Sequence, residues 1–156
     1  MNRLITSCSR LIRLLESVSY DTLIAIPARV FPAVTFWLSG RTKVDGLLRV
    51  SDSTVFLFQH EYDIPLIPFR IAAYLTTYAE HLLPILLLVG LASRLSAAAV
   101  FVMTAIIQIF VYPGAWATHL GWSAALMFLV FRGPGQLSID ALIRRVCLPE
   151  PEHRRG

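Results

Sequence analysis

Residues 74–90 read YLTTYAEHLLPILLLVG. Two ionisable side chains, Glu80 and His81, sit side by side in a run otherwise suited to lipid. A charged group at the centre of a membrane helix costs about 2.5–3.5 kcal/mol on insertion scales, so Glu80 is expected to face a bundle interior and to have a partner. Arg29 is the first candidate. It lies about two turns from one end of its own span and Glu80 about three turns from the same end, at ~1.5 Å of rise per residue. Two readings stand. In one, Glu80 with Arg29 is a buried ion pair that fixes helix packing. In the other, Glu80, Arg29 and His81 are catalytic candidates that carry protons or hold a ligand.

The polarity extends beyond that pair. Arg70, Tyr74, Thr77 and His81 follow one another at helical steps of four, three and four, a stripe that would line a cavity. Lys43, His60, Glu61, Tyr62, Asp63 and His119 map to one end of the bundle, with Arg41 and Arg70. Trp116 and Trp122 flank that group and suit an interfacial aromatic belt or a ring-binding site. The ligand-binding candidates are therefore Lys43, Arg70, Tyr74, Thr77, His119 and Trp122. His60, Glu61 and His119 have no metal-ligand spacing, so no metal site is expected. No nucleophile elbow, phosphate loop, dinucleotide loop or haem-attachment motif is present, so any chemistry must come with a bound cofactor or partner.

The elements that must position these residues are membrane helices. Apolar residues make up 56% of the 156 and charged residues only 15%, too few polar groups to cover a soluble domain of this size. The fold class expected is an all-α integral membrane four-helix bundle. Its spans are read at 22–40, 66–91, 95–112 and 116–132, within a bundle unit at 22–132. Pro27, Pro32 and Arg29 make a kinked or irregular start to the first span the expectation. An amphipathic helix is read at 1–21, from Leu4, Cys8, Leu11, Leu15 and Val18 on one face and arginines on the other. It resembles a signal peptide only loosely and is expected to be retained. Residues 133–148 read as a stop followed by a second amphipathic helix capped by Ser138, and 149–156 as a disordered tail. Asp140, two residues past that cap, suits the N-terminus of its own helix. Within the long connection 41–65, the stretch Ser53–Phe58 is apolar enough to pack onto the bundle.

The formal charge of +4 does not indicate nucleic acid, because the basic residues flank apolar spans and form no continuous face; the lipid bilayer is the expected partner. Arginines at 3, 10, 13, 94, 132, 144, 145, 154 and 155 lie outside the long connection, which itself carries Arg41, Lys43 and Arg49. The positive-inside rule then places both termini in the cytoplasm of a multi-pass inner (plasma) membrane protein, with the long loop in the periplasm. Cys8 and Cys147 form no CxxC and read as isolated small residues.

Several of these residues fall into one pattern. Arg29 lies early in span one, Ser39-Gly40-Arg41-Thr42-Lys43 ends it, Glu80 lies mid-span, Gly90-Leu91-Ala92-Ser93-Arg94 closes span two, and GPGQLSID follows span four. Over roughly 22–145 the chain resembles the DoxX family of small four-helix bacterial membrane proteins, in a subgroup with a longer first loop marked by Phe58-Gln59-His60-Glu61-Tyr62 and Pro65. The resemblance implies a redox-associated membrane subunit linked to quinone, since the family is named for a small subunit associated with a thiosulfate:quinone oxidoreductase. It points to Arg29, Lys43, Glu80, Arg94 and Asp140. No cysteine pair on the loop side accompanies it, which argues against direct thiol oxidation.

The leading expectation is a quinone-like ring bound between helices, with Glu80 exchanging a proton. Another membrane or periplasmic protein is the expected partner. The alternative is a non-enzymatic scaffold or maturation partner of an operon-encoded metal- or peptide-handling system. A small transporter is a third reading, open to four spans only as a homo-oligomer.

Overall fold

The computed structural model describes residues 19–62 and 64–147. The amphipathic helix expected at 1–21 lies outside the described residues up to position 18, as do Asp63 and the tail.

The first helix, α1, runs Tyr20–Arg41. Ser19 caps it, its side chain accepting from the Thr22 amide at 3.3 Å. α-Helical structure continues unbroken through Pro27 and Pro32 to Arg41, so the irregular start is absent. A two-stranded hairpin follows, β1 Val44–Asp45 paired antiparallel with β2 Arg49–Val50, turning through Gly46 at φ +70°. α2, Asp52–His60, then packs on the bundle by setting Phe58 against Ala72 and Ala73.

α3 is Phe69–Val89. Gly90 ends it in the left-handed region at φ 71°, and the Leu91 amide donates back to the Leu86 carbonyl at 2.9 Å. α4 is Ser93–Ile106 and continues as a π-helical segment, Ile107–Val111. α5 is Trp116–Arg132, and α6 is Ile139–Cys147.

Helices α1, α3, α4 and α5 form a closed bundle in which α1 touches α3 and α5, and α4 touches the same two. The core holds Phe36, Leu87, Val100, Leu126 and Leu129 among alanines at 25, 28, 33 and 97. Small residues at the contacts let membrane helices approach closely. The outer surface carries exposed Leu75, Leu82, Val102, Ile109, Leu120 and Phe131, the inverse of a soluble protein. α1, α3 and α4 with its π extension are long and apolar enough to cross a membrane, and α5 lies alongside them. The chain is an all-α membrane protein. Its two faces differ: the loop face carries the hairpin and α2, and the clasp face carries residues 90–93 and 133–147.

On the clasp face, Gly133 and Gly135 both take positive φ, at 87° and 80°. A Cβ on Gly135 would lie 2.9 Å from the Thr22 backbone, so only glycine fits where the GPG segment crosses α1. Asp140 acts on a different helix from the one expected. Its carboxylate accepts from the amides of Ala92 and Ser93, both at 2.8 Å, and so caps α4. Its own amide donates to the Gly90 carbonyl at 2.9 Å. The N-terminus of α6 is capped by the Ser138 hydroxyl, which accepts from the Ala141 amide.

Candidate functional site

Gly40, in the last turn of α1, sets the register against α3. A Cβ there would lie 3.0 Å from the His81 ring and 3.1 Å from the Glu80 Cβ. Arg29, three turns earlier, lies against Gly90 and Ser138 at the far end of α3. The two helices are therefore antiparallel, in a register that sets Glu80 beside Gly40 and Arg29 about three turns away, and that register decides the partner of Glu80. Side chains lean toward the N-terminus of their own helix. Arg29, already about three turns from the level of Glu80, leans toward the clasp face while Glu80 leans toward the loop face, so the two diverge further.

The expected Glu80–Arg29 pair is thus replaced. The Glu80 carboxylate, 2% exposed, meets the Lys43 ammonium at 2.6 Å from just past the end of α1. Lys43 Nζ also donates to the Ser39 hydroxyl at 2.8 Å and the Ser39 carbonyl at 3.3 Å. An ammonium has three protons, and all three are engaged. The Ser39 hydroxyl in turn donates to the other Glu80 oxygen at 3.3 Å. Arg29 is buried, with no hydrogen-bond partner on Nε or Nη1 among the described residues.

The pair lies on the wall of a cavity of about 260 Å³ toward the loop face. Phe36, Phe58, Met103 and Trp122 supply apolar and aromatic walls. Tyr62 and Tyr112 also line it and share a hydroxyl–hydroxyl hydrogen bond of 3.3 Å. Partial burial, and then that bond, raise the Tyr62 phenol above its usual range. His119 lines the cavity from α5 with its ring against Trp122, centroids 4.9 Å apart. Its Nδ1 meets the Gln108 Oε1 at 2.6 Å, while Gln108 Nε2 donates to the Pro113 carbonyl at 2.6 Å. Gln108 belongs to the π-helical segment, the kind of local widening that often marks a functional site.

Of the residues expected at the site, the fold brings together Lys43, Glu80, Tyr62, His119 and Trp122. It does not bring Arg29, His81, Arg70, Tyr74 or Thr77 to this cavity. His81 sits across α3 in an open groove with Trp37 and Arg41, its Nδ1 on the Thr77 carbonyl at 2.7 Å and its Nε2 buried without a partner among the described residues. Thr77 turns its hydroxyl onto the Ala73 carbonyl of its own helix at 2.7 Å. Arg70 and Tyr74 are exposed. The stripe breaks because α1 ends near the level of Glu80, so the first turns of α3 face α2 through Ala72 and Ala73 and leave Tyr74 outside. Arg41 ties down the hairpin through the carbonyls of Gly46 and Leu47.

Sequence reasoning missed Ser39, Tyr112 and Gln108 as site residues. Gln108 carried a usable signal, being the one amide in the otherwise cleanest apolar span. Among the described residues, no group of three His, Cys, Asp or Glu side chains is placed to hold a metal ion.

A model of the DoxX family matches residues 24–113, more than half of the chain. The match takes in Arg29, Lys43, Glu80 and Gln108 and stops before His119 and the GPG segment. No curated protein and no solved structure matches.

Proposed function

The chain belongs to the DoxX family, and from that premise we propose that it is a quinone-linked redox subunit of the bacterial inner membrane, its ring site being the cavity beside Lys43 and Glu80. The observation that carries the reading is the cavity itself: aromatic and apolar walls around one net-neutral ion pair. At about 260 Å³ it falls just below the ~300–1,000 Å³ of drug-sized ligand sites, which suits one ring and excludes a dinucleotide. A quinone ring supplies two-electron, two-proton chemistry when bound. This chain's part is to hold the ring between Phe36, Phe58 and Trp122, to exclude water, and to hold or release a proton at the Glu80 carboxylate. Electrons are exchanged with a membrane or periplasmic partner protein. Both termini are cytoplasmic in this reading, so the cavity opens toward the periplasmic side.

Purification in mild detergent, organic extraction and ultraviolet spectroscopy test it. A quinone signature is expected from the native protein, and its loss from Glu80→Gln and Lys43→Met variants that remain folded. A folded native protein that yields no such signature, or undiminished in-cell function of the Lys43→Met/Glu80→Leu double variant, would overturn the reading. Reporter fusions at Gly156 and within residues 45–60 test the orientation, and an external C-terminal reporter refutes it.

A further inference from the structure

The polar groups of the cavity have a fixed sense that selects among ring ligands. The Pro113 carbonyl can only accept, so the Gln108 amide nitrogen must face it and the Gln108 oxygen must face His119. His119 then carries its proton on Nδ1. A doubly protonated imidazolium would need a counter-ion, and the Glu80 carboxylate is already taken by Lys43. The ring is therefore neutral, and Nε2 is an acceptor with no partner among the described residues. At the ion pair, every Lys43 proton and the Ser39 hydroxyl proton are engaged. What remains there for a ligand is lone pairs on Glu80. The Trp122 indole N–H is a donor without a partner among the described residues, and the hydroxyls of Thr76, Tyr62 and Tyr112 can turn either way. Among the described lining residues the groups of fixed sense are thus two acceptors, Glu80 and His119, and one donor, Trp122, and the Lys43–Glu80 pair is net neutral.

A dione brings only acceptors and, of the groups with a fixed sense, can satisfy Trp122 alone. A dihydroxy ring can give to both His119 and Glu80 and still accept from Trp122. We infer that the cavity takes its ring in the reduced, dihydroxy form, with Gln108 as the positioning residue that holds His119 as a hydrogen-bond acceptor. This rests on the ring-binding reading above and adds which redox form is held.

The test uses the full chain in nanodiscs with Trp37→Phe and Trp116→Phe, so that fluorescence reports Trp122. Three probes are titrated: an alkyl-substituted para-dihydroxybenzene, the corresponding dione, and the dimethoxy ether. The dihydroxy probe is expected to bind at least about tenfold more tightly than either of the others, because a buried acceptor left unpaired is what rejects the wrong analogue. Gln108→Leu should bring that ratio close to one. Gln108→Glu loses the bond to Pro113 and places on Nδ1 the counter-ion that lets the ring take a second proton, so it should lower the ratio as well. Nitrogen-15 spectroscopy of the unsubstituted chain should find His119 protonated on Nδ1 and bare on Nε2. A dione that binds as tightly as the dihydroxy probe, or a proton found on Nε2, overturns this inference and leaves the ring-binding reading standing. No binding by any of the three overturns both.

Discussion

Breaking the Lys43–Glu80 pair from either side should not cost the same. Glu80 is 2% exposed on a helix flanked by packed neighbours, whereas Lys43 is 14% exposed on the segment that leaves α1 for the loop face. Lys43→Met strands the carboxylate with a single Ser39 hydrogen bond of 3.3 Å. Removing one partner of a buried pair costs about 3–5 kcal/mol, and the partial exposure here points to about 3. Glu80→Leu leaves Lys43 its two bonds to Ser39 and a short path to water, so about 1–2 kcal/mol is expected. The double variant removes both charges and should lose no more than about 1 kcal/mol, a coupling of at least about 3 kcal/mol. Unfolding driven by sodium dodecyl sulfate in mixed micelles measures all three. Losses that add within about 0.5 kcal/mol would refute the pairing. Arg29 is the control: Arg29→Met, which removes a guanidinium that lies away from Glu80 against Gly90, should show no coupling to Glu80→Leu beyond about 0.5 kcal/mol.

Gly40→Ala puts a methyl group 3.0 Å from the His81 ring and 3.1 Å from the Glu80 Cβ, and should destabilise by about 1–3 kcal/mol in the same unfolding assay; no change would mean that α1 and α3 are less close than described. Asp140→Ala leaves two α4 amides uncapped and should cost about 1–2 kcal/mol, with ring binding unchanged in the fraction that stays folded; binding lost without destabilisation would contradict a purely structural clasp. The Tyr62 phenol is held above its unfolded value near 10. Below that value both states are protonated and its contribution is intact, and as pH rises further the unfolded state ionises first. Stability should therefore fall from about pH 10 upward, and Tyr62→Phe should flatten that fall in thermal melts.

Much of the architecture was written in the one-dimensional pattern. The apolar runs around 22–40, 66–91, 95–112 and 116–132 find their counterparts in Tyr20–Arg41, Phe69–Val89, Ser93–Val111 and Trp116–Arg132. Length and hydropathy suffice for this, because in lipid every backbone group must bond within its own segment. The interior orientation of Glu80 was legible for the same reason. Its partner was not. Depth along a helix is a one-dimensional quantity, and it made Arg29 and Glu80 look adjacent. Only the register of α1 on α3 sets Glu80 level with Gly40, within reach of Lys43, and leaves Arg29 about three turns away against Gly90. Likewise, helical steps put Tyr74 and His81 on one stripe, but where α1 ends decides which of them is covered. The Asp140 clasp and the Gln108–His119 pair join residues 48 and 11 positions apart, and no local pattern encodes such distances. The sequence determines what must leave water and what must then find a partner, because hydrophobic transfer and backbone hydrogen bonding act on each segment alone. The tertiary structure decides which partner is found, because side-chain direction and helix register exist only once segments are packed against one another.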